Sequence, residues 1–197
     1  MKLRYVAALL LAGTVLLGCD NKSIPDQKFA SVDITGGEWG KEFQLTDHTG
    51  KPRTLADFKG KAVVLFFGYT NCPDVCPTTM VKLASAMEKL GKDAERVQVL
   101  MVTLDPQRDT QELLAKYVPA FHPPFLGLTG TEQQVDAAAK EFKVIRVLQK
   151  PNEDGFYTVD HSGQTYAFDP QGRLRLFFRD AQPAEDIVQD LKTLLKT

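Results

Sequence analysis

Two stretches of the chain are apolar almost without interruption, "KAVVLFFGY" (61–69) and "RVQVLMVTLDP" (96–106). Their β-branched and aromatic content marks central strands buried on both faces. Alternating segments occur in "EFQLTDHTGKPRTL" (42–55), around turn-rich Asp47–Lys51, and in "QTYAFDPQGRLRLFF" (164–178), around Asp169–Gly172. Each reads as a β-hairpin. "FLGLTG" (125–130) reads as a further short strand. Between them the period changes. Met80, Leu83, Met87 and Leu90 fall at helical spacing within 78–91, with Gly91 as the stop. A second helix is expected from Asp109 as N-cap, with Glu112 three residues on, ending before Pro119. A third covers 131–144, where Thr131 and Gln134 fit a capping box. A last helix starts near Pro183, with acids ahead of lysines as the helix dipole favours.

The order is hairpin, β, α, β, α, β, α, β-hairpin, α. Such alternation predicts an α/β layer with a partly parallel central sheet. An antiparallel hairpin before the last helix is the thioredoxin-like ending. The expected fold class is therefore α/β, thioredoxin-like, with an N-terminal β-hairpin extension and a C-terminal hairpin plus helix.

The first residues follow different rules. In "MKLRYVAALLLAGTVLLGCD" Lys2 and Arg4 precede thirteen residues, Val6–Gly18, that are almost all apolar. That is a signal-peptide length, short of the roughly 20 residues that span a bilayer. Leu16 and Gly18 ahead of Cys19 resemble a bacterial lipobox, which implies lipidation of Cys19 after cleavage. Residues 20–31, "DNKSIPDQKFAS", are polar and read as a tether. The expected organisation is a lipoprotein signal peptide over 1–18, a lipidated N-terminus and tether over 19–32, and a thioredoxin-like domain over 33–197. Such a protein would be lipid-anchored in a bacterial cell membrane, facing the periplasm or the cell exterior. The 197 residues carry 24 Lys and Arg against 25 Asp and Glu, a net charge of -1, with no basic run. Nucleic-acid binding has no electrostatic support.

"GYTNCPDVCPTTM" (68–80) holds two of the three cysteines at the junction of the first central strand and its helix. Four-residue spacing lets Cys72 and Cys76 aim their sulfurs at one point, and a helix N-terminus would favour the Cys76 thiolate. A permanent disulfide closing so short a loop would constrain little chain entropy. A redox dithiol and a metal clamp both remain open. Of the histidines, His48 sits at a hairpin tip and His122 in a proline-rich connection. His161 ends a Gly- and acid-containing loop just before the C-terminal hairpin, beside the strand–helix junction in a thioredoxin-like arrangement. Met80 and Met101 lie in apolar periodic segments and are assigned to the core.

"FFGYTNCPDVCPTTM", with "TVDHS" downstream and "GGEWGKEFQLTDHTGK" upstream, resembles the Sco/SenC family over Asp33 to the C-terminus. These are membrane-tethered, thioredoxin-like copper proteins that help assemble cytochrome c oxidase. The resemblance implies that Cys72, Cys76 and His161 bind copper, one ion per chain, as Cu(I) and also as Cu(II). It implies delivery to the CuA site of cytochrome c oxidase subunit II, and so a copper donor and a thiol reductant upstream. Cys72 and Cys76 would form the redox-active disulfide. Asp74 and Asp160 adjoin the ligands and are candidates to orient His161 or touch a partner. The donor chemistry agrees, since two thiolates and an imidazole favour Cu(I), whereas structural zinc wants four ligands; a catalytic zinc held by two cysteines, one histidine and water is the alternative ion. A carrier of this kind turns over no substrate. The alternative is a thiol–disulfide reductase, or a redox or copper sensor, using the same pair. A peroxidase is set aside because Pro73 stands where a peroxiredoxin has threonine or serine.

Overall fold

The computed structural model describes residues 29–197. The apolar N-terminal run, Cys19 and the tether as far as residue 28 lie outside the described residues.

The two apolar runs form β4 (Ala62–Gly68) and β5 (Val97–Thr103), every residue of both buried. They pair in parallel, Ala62 opposite Val97 through Gly68 opposite Thr103. β6 (Leu126–Thr129) extends the parallel part beside β5. The hairpin β9 (Thr165–Phe168) and β10 (Leu174–Phe178) joins antiparallel on the other side of β4. At the far edges lie β1 (Val32–Asp33) beside β10, and the hairpin β2 (Leu45–Asp47) and β3 (Pro52–Arg53) beside β6. The order is β1-β10-β9-β4-β5-β6-β2-β3. The N-terminal hairpin is thus a continuation of the central sheet.

Four helices complete the layer: α1 (Val75–Leu90), α2 (Gln111–Tyr117), α3 (Glu132–Glu141) and α4 (Ala184–Leu194). α1 packs against α4, and α2 against β6. At the end of α3, Phe142 packs on Phe67 of β4 with ring centroids 5.3 Å apart and on Tyr166 of β9 at 5.7 Å. Residues 29–31 are bound to the domain, because the amides of Ala30 and Ser31 donate to the buried Asp190 carboxylate on α4 at 2.8 and 2.9 Å. The capping box of α3 forms as expected, Thr131 accepting from Gln134 N–H and Gln134 from Thr131 N–H.

Three local expectations are corrected. α1 begins at Val75, three residues earlier than the apolar spacing suggested, since Pro77 is tolerated within a first helical turn. The cap of α2 is Thr110, whose side chain accepts from Leu113 N–H, and Asp109 is used elsewhere. The segment read as a loop before His161 holds a separate two-stranded sheet, β7 (Arg146–Leu148) with β8 (Val159–His161).

Candidate metal centre

β4 carries the chain to the site as rigid, doubly covered backbone. Just past its end, Tyr69 is buried, and the backbone turns so that Cys72 N–H donates to Tyr69 O at 3.3 Å. α1 then begins, with Cys76 its second residue. The turn is held from the neighbouring strand end by Asp109. Its carboxylate accepts from the Thr70 amide at 3.0 Å, the Thr70 hydroxyl at 2.5 Å and the Thr103 hydroxyl at 2.6 Å. Burial raises the Asp109 pKa, against the pull of those three bonds.

Gly68 is dictated by the site. A Cβ there would stand 2.6 Å from the Phe66 ring and 2.9 Å from Cys76 Sγ, so only hydrogen fits between strand and sulfur.

Cys72 and Cys76 are both free thiols. Cys76 is fully buried and Cys72 is 9% exposed at the wall of a shallow, open cleft. His161 ends β8, and its Nε2 lies 3.5 Å from Cys76 Sγ. Its Nδ1 faces the backbone carbonyl of Ser162 at 3.2 Å, which assigns the proton to Nδ1 and leaves the Nε2 lone pair toward the sulfurs. The Tyr69 ring stands edge-on to the imidazole, centroids 5.9 Å apart. The donor atoms of Cys72, Cys76 and His161 all lie within 4.8 Å of one another, close enough for one ion to bridge them.

The electrostatics differ from the sequence expectation. Burial pushes the Cys76 thiol pKa far up, the nearby Cys72 thiol and Asp109 add to it, and a backbone hydrogen bond at Tyr69 offsets only part of the rise. At neutral pH Cys76 is a protonated thiol, which gives up its proton when a cation takes its place. Burial lowers the His161 pKa, opposed by the Ser162 carbonyl and by Asp180 and Asp160. The imidazole is therefore neutral and available as a donor.

Asp160 is exposed and accepts from Gln149 at 2.6 Å, while Asp74 is exposed at the N-cap of α1. His48 accepts from Gly127 N–H through Nδ1, and His122 packs on Phe125, so both are structural. Met80 and Met101 are fully buried in the core. From the sequence, Gly68 and Tyr69 were not marked for the site, and Asp109 was read only as a helix cap. The one sequence signal for Tyr69 was its place at the end of a buried run.

The sequence pattern of the family described as SCO1/SenC matches residues 33–196. The chain belongs to the SCO1/SenC family. A zebrafish (Danio rerio) relative, "Protein SCO2 homolog, mitochondrial", is 42% identical over 161 residues, covering 79% of this chain and 58% of its own length. The chain thus spans a little over half of that relative. Among SCO1/SenC structures, apo Sco1 from Thermus thermophilus is 39% identical with a TM-score of 0.75, covering 86% of this chain and 99% of that one. ScoI from Bradyrhizobium japonicum, solved with copper bound, is 37% identical with a TM-score of 0.71, covering 77% of this chain and 96% of that one. The fold is thus the thioredoxin-like one of SCO1/SenC proteins.

Proposed function

We propose that this chain is a membrane-tethered, extracytoplasmic copper carrier. In this reading Cys72, Cys76 and His161 hold one copper ion for delivery to the CuA site of cytochrome c oxidase subunit II. The observation that carries the proposal is the convergence of two thiols and one Nε2 lone pair within 4.8 Å at the edge of an open cleft. That donor set is soft to borderline and three in number, which suits Cu(I) and falls short of a closed zinc site. The copper-bound relative supports the same cargo. In this reading copper is cargo, and the chain's own chemistry is to exchange the Cys76 proton for the ion and later release it.

The test is a copper titration of the reduced chain. One Cu(I) per chain is expected, bound more tightly as pH rises. The sign follows from the raised Cys76 pKa: below it, each ion bound displaces that proton, so affinity gains up to about tenfold per pH unit for each proton released. Stoichiometric binding that survives replacement of both Cys72 and Cys76 would sink the proposal.

The tether belongs to the same proposal. With residues 1–18 as signal and Cys19 as anchor, the mature protein begins at a lipid-modified Cys19 and its domain works from about residue 33 onward. Mass spectrometry of the mature N-terminus is expected to find the acyl groups, and Cys19→Ser to leave an uncleaved precursor. An unmodified mature N-terminus would remove the anchor. Among the described residues no helix is long and apolar enough to cross a membrane.

A further inference from the structure

His161 does not belong to the central sheet. It ends β8, whose one partner is β7, in a sheet of two three-residue strands. Such a hairpin is marginal in water by itself. Its apolar anchoring is slight, because Ile145, Val147, Leu148 and Phe156 are exposed while Val159 is buried. Something else must fix the arm that carries the imidazole.

Two arginines do so. Arg146 stands directly across from His161 in the β7–β8 register. Its side chain is 8% exposed and spreads its guanidinium over the body of the protein. Nε donates to Leu104 O at 2.5 Å, Nη1 to Asp136 at 2.7 Å and Nη2 to Glu132 at 2.8 Å. The second contact is made by Arg108. Arg108, just after β5, lies 3.6 Å from the Tyr157 ring centroid and donates to Tyr157 O at 2.9 Å. Asp105, fully buried, closes the ring: one carboxylate oxygen takes Arg108 Nε and the other takes the Tyr157 hydroxyl at 2.9 Å. In addition, Val159 N–H donates to the Tyr69 hydroxyl at 3.3 Å.

We infer that Arg146 and Arg108 are positioning residues that hold the β7–β8 arm so that the His161 imidazole sits over the two thiols. The inference rests on the copper reading for its cargo and on the metal-free geometry for the arm itself. Planar forks suit this role, since each guanidinium meets several fixed acceptors at once, which an ammonium cannot do.

The test uses the full-length chain with Arg146→Met and Arg108→Met, each alone and combined with His161→Ala. In the metal-free protein, amide hydrogen exchange across 145–163 is expected to speed up, with the amides of β4 and β5 still protected. Where a methionine variant loses that core protection, the lysine variant at the same position replaces it. In the loaded protein, Cu(I) release is expected to quicken about 10-fold or more, the scale of losing a partner that orients a ligand. X-ray absorption should lose its imidazole signature. In the His161→Ala background neither arginine substitution should change release further, because the group it positions is already gone. Unchanged arm exchange, or an added loss in that background, overturns the inference. If the wild-type chain binds no copper, the copper reading fails, and arm exchange alone decides for or against the two latches.

Discussion

Cys76→Ser is expected to leave a folded protein that no longer holds copper tightly. The sulfur is fully buried against Gly68 and the His161 imidazole, so no outside group can replace it. A serine hydroxyl is harder and far less acidic than a thiol, so under the proposed ligand set the ion would keep only Cys72 and His161. Loss of affinity should exceed the roughly 10–100-fold that follows loss of a mere ligand-orienting partner. Burying the hydroxyl at that spot should cost about 1–3 kcal/mol of stability. Competition against a Cu(I) chelator measures the first effect and denaturant unfolding the second. Retention of wild-type affinity would remove Cys76 from the site.

The second large effect separates carrier from reductase. Thiol–disulfide exchange needs an attacking thiolate and a resolving partner, and a remote imidazole is dispensable to it. A three-donor copper site loses a third of its coordination with that imidazole. His161→Ala is therefore expected to keep an oxidisable Cys72–Cys76 pair while tight copper binding and oxidase assembly fall together. The measurement is the CuA content of the oxidase in cells carrying only this variant at limiting copper. Normal loading there, with loading abolished by Cys76→Ser, would assign the function to the thiols alone. In either role, burial holds the Cys76 thiol protonated, which leaves Cys72, at the wall of the cleft, as the sulfur nearer to an incoming partner.

Whatever was written locally in the chain could be read from it. β4 and β5 announce themselves because strands covered on both faces are apolar at every position. The cysteine pair was equally visible, both members lying within one turn. What failed was whatever tertiary contact decides. Asp109 and Thr110 are both good N-cap types, and only the Thr70 and Thr103 hydroxyls, brought together by sheet pairing, draw Asp109 away from the helix. The β7–β8 arm has half-exposed strands and no clean period, and its ties to the body run through Arg146 and Arg108 to residues far off in the sequence. The raised pKa of the Cys76 thiol was hidden for the same reason: the helix end is a local feature, but burial belongs to the whole fold. His161, 85 residues from Cys76, was legible through family resemblance more than through its own surroundings.

The closeness of Gly68 to sulfur has a consequence for redesign. Volume added at that position presses on Phe66 and Cys76 together, so the strand side of the centre is a fixed wall. An engineer wishing to enlarge the centre for a bigger ion, or to add a fourth donor, must work from the other sides. The sides left open are the 72–74 turn and the arm that brings the imidazole. Substitutions there would change the size and coordination number of the centre, while the floor beneath Cys76 stays where β4 puts it.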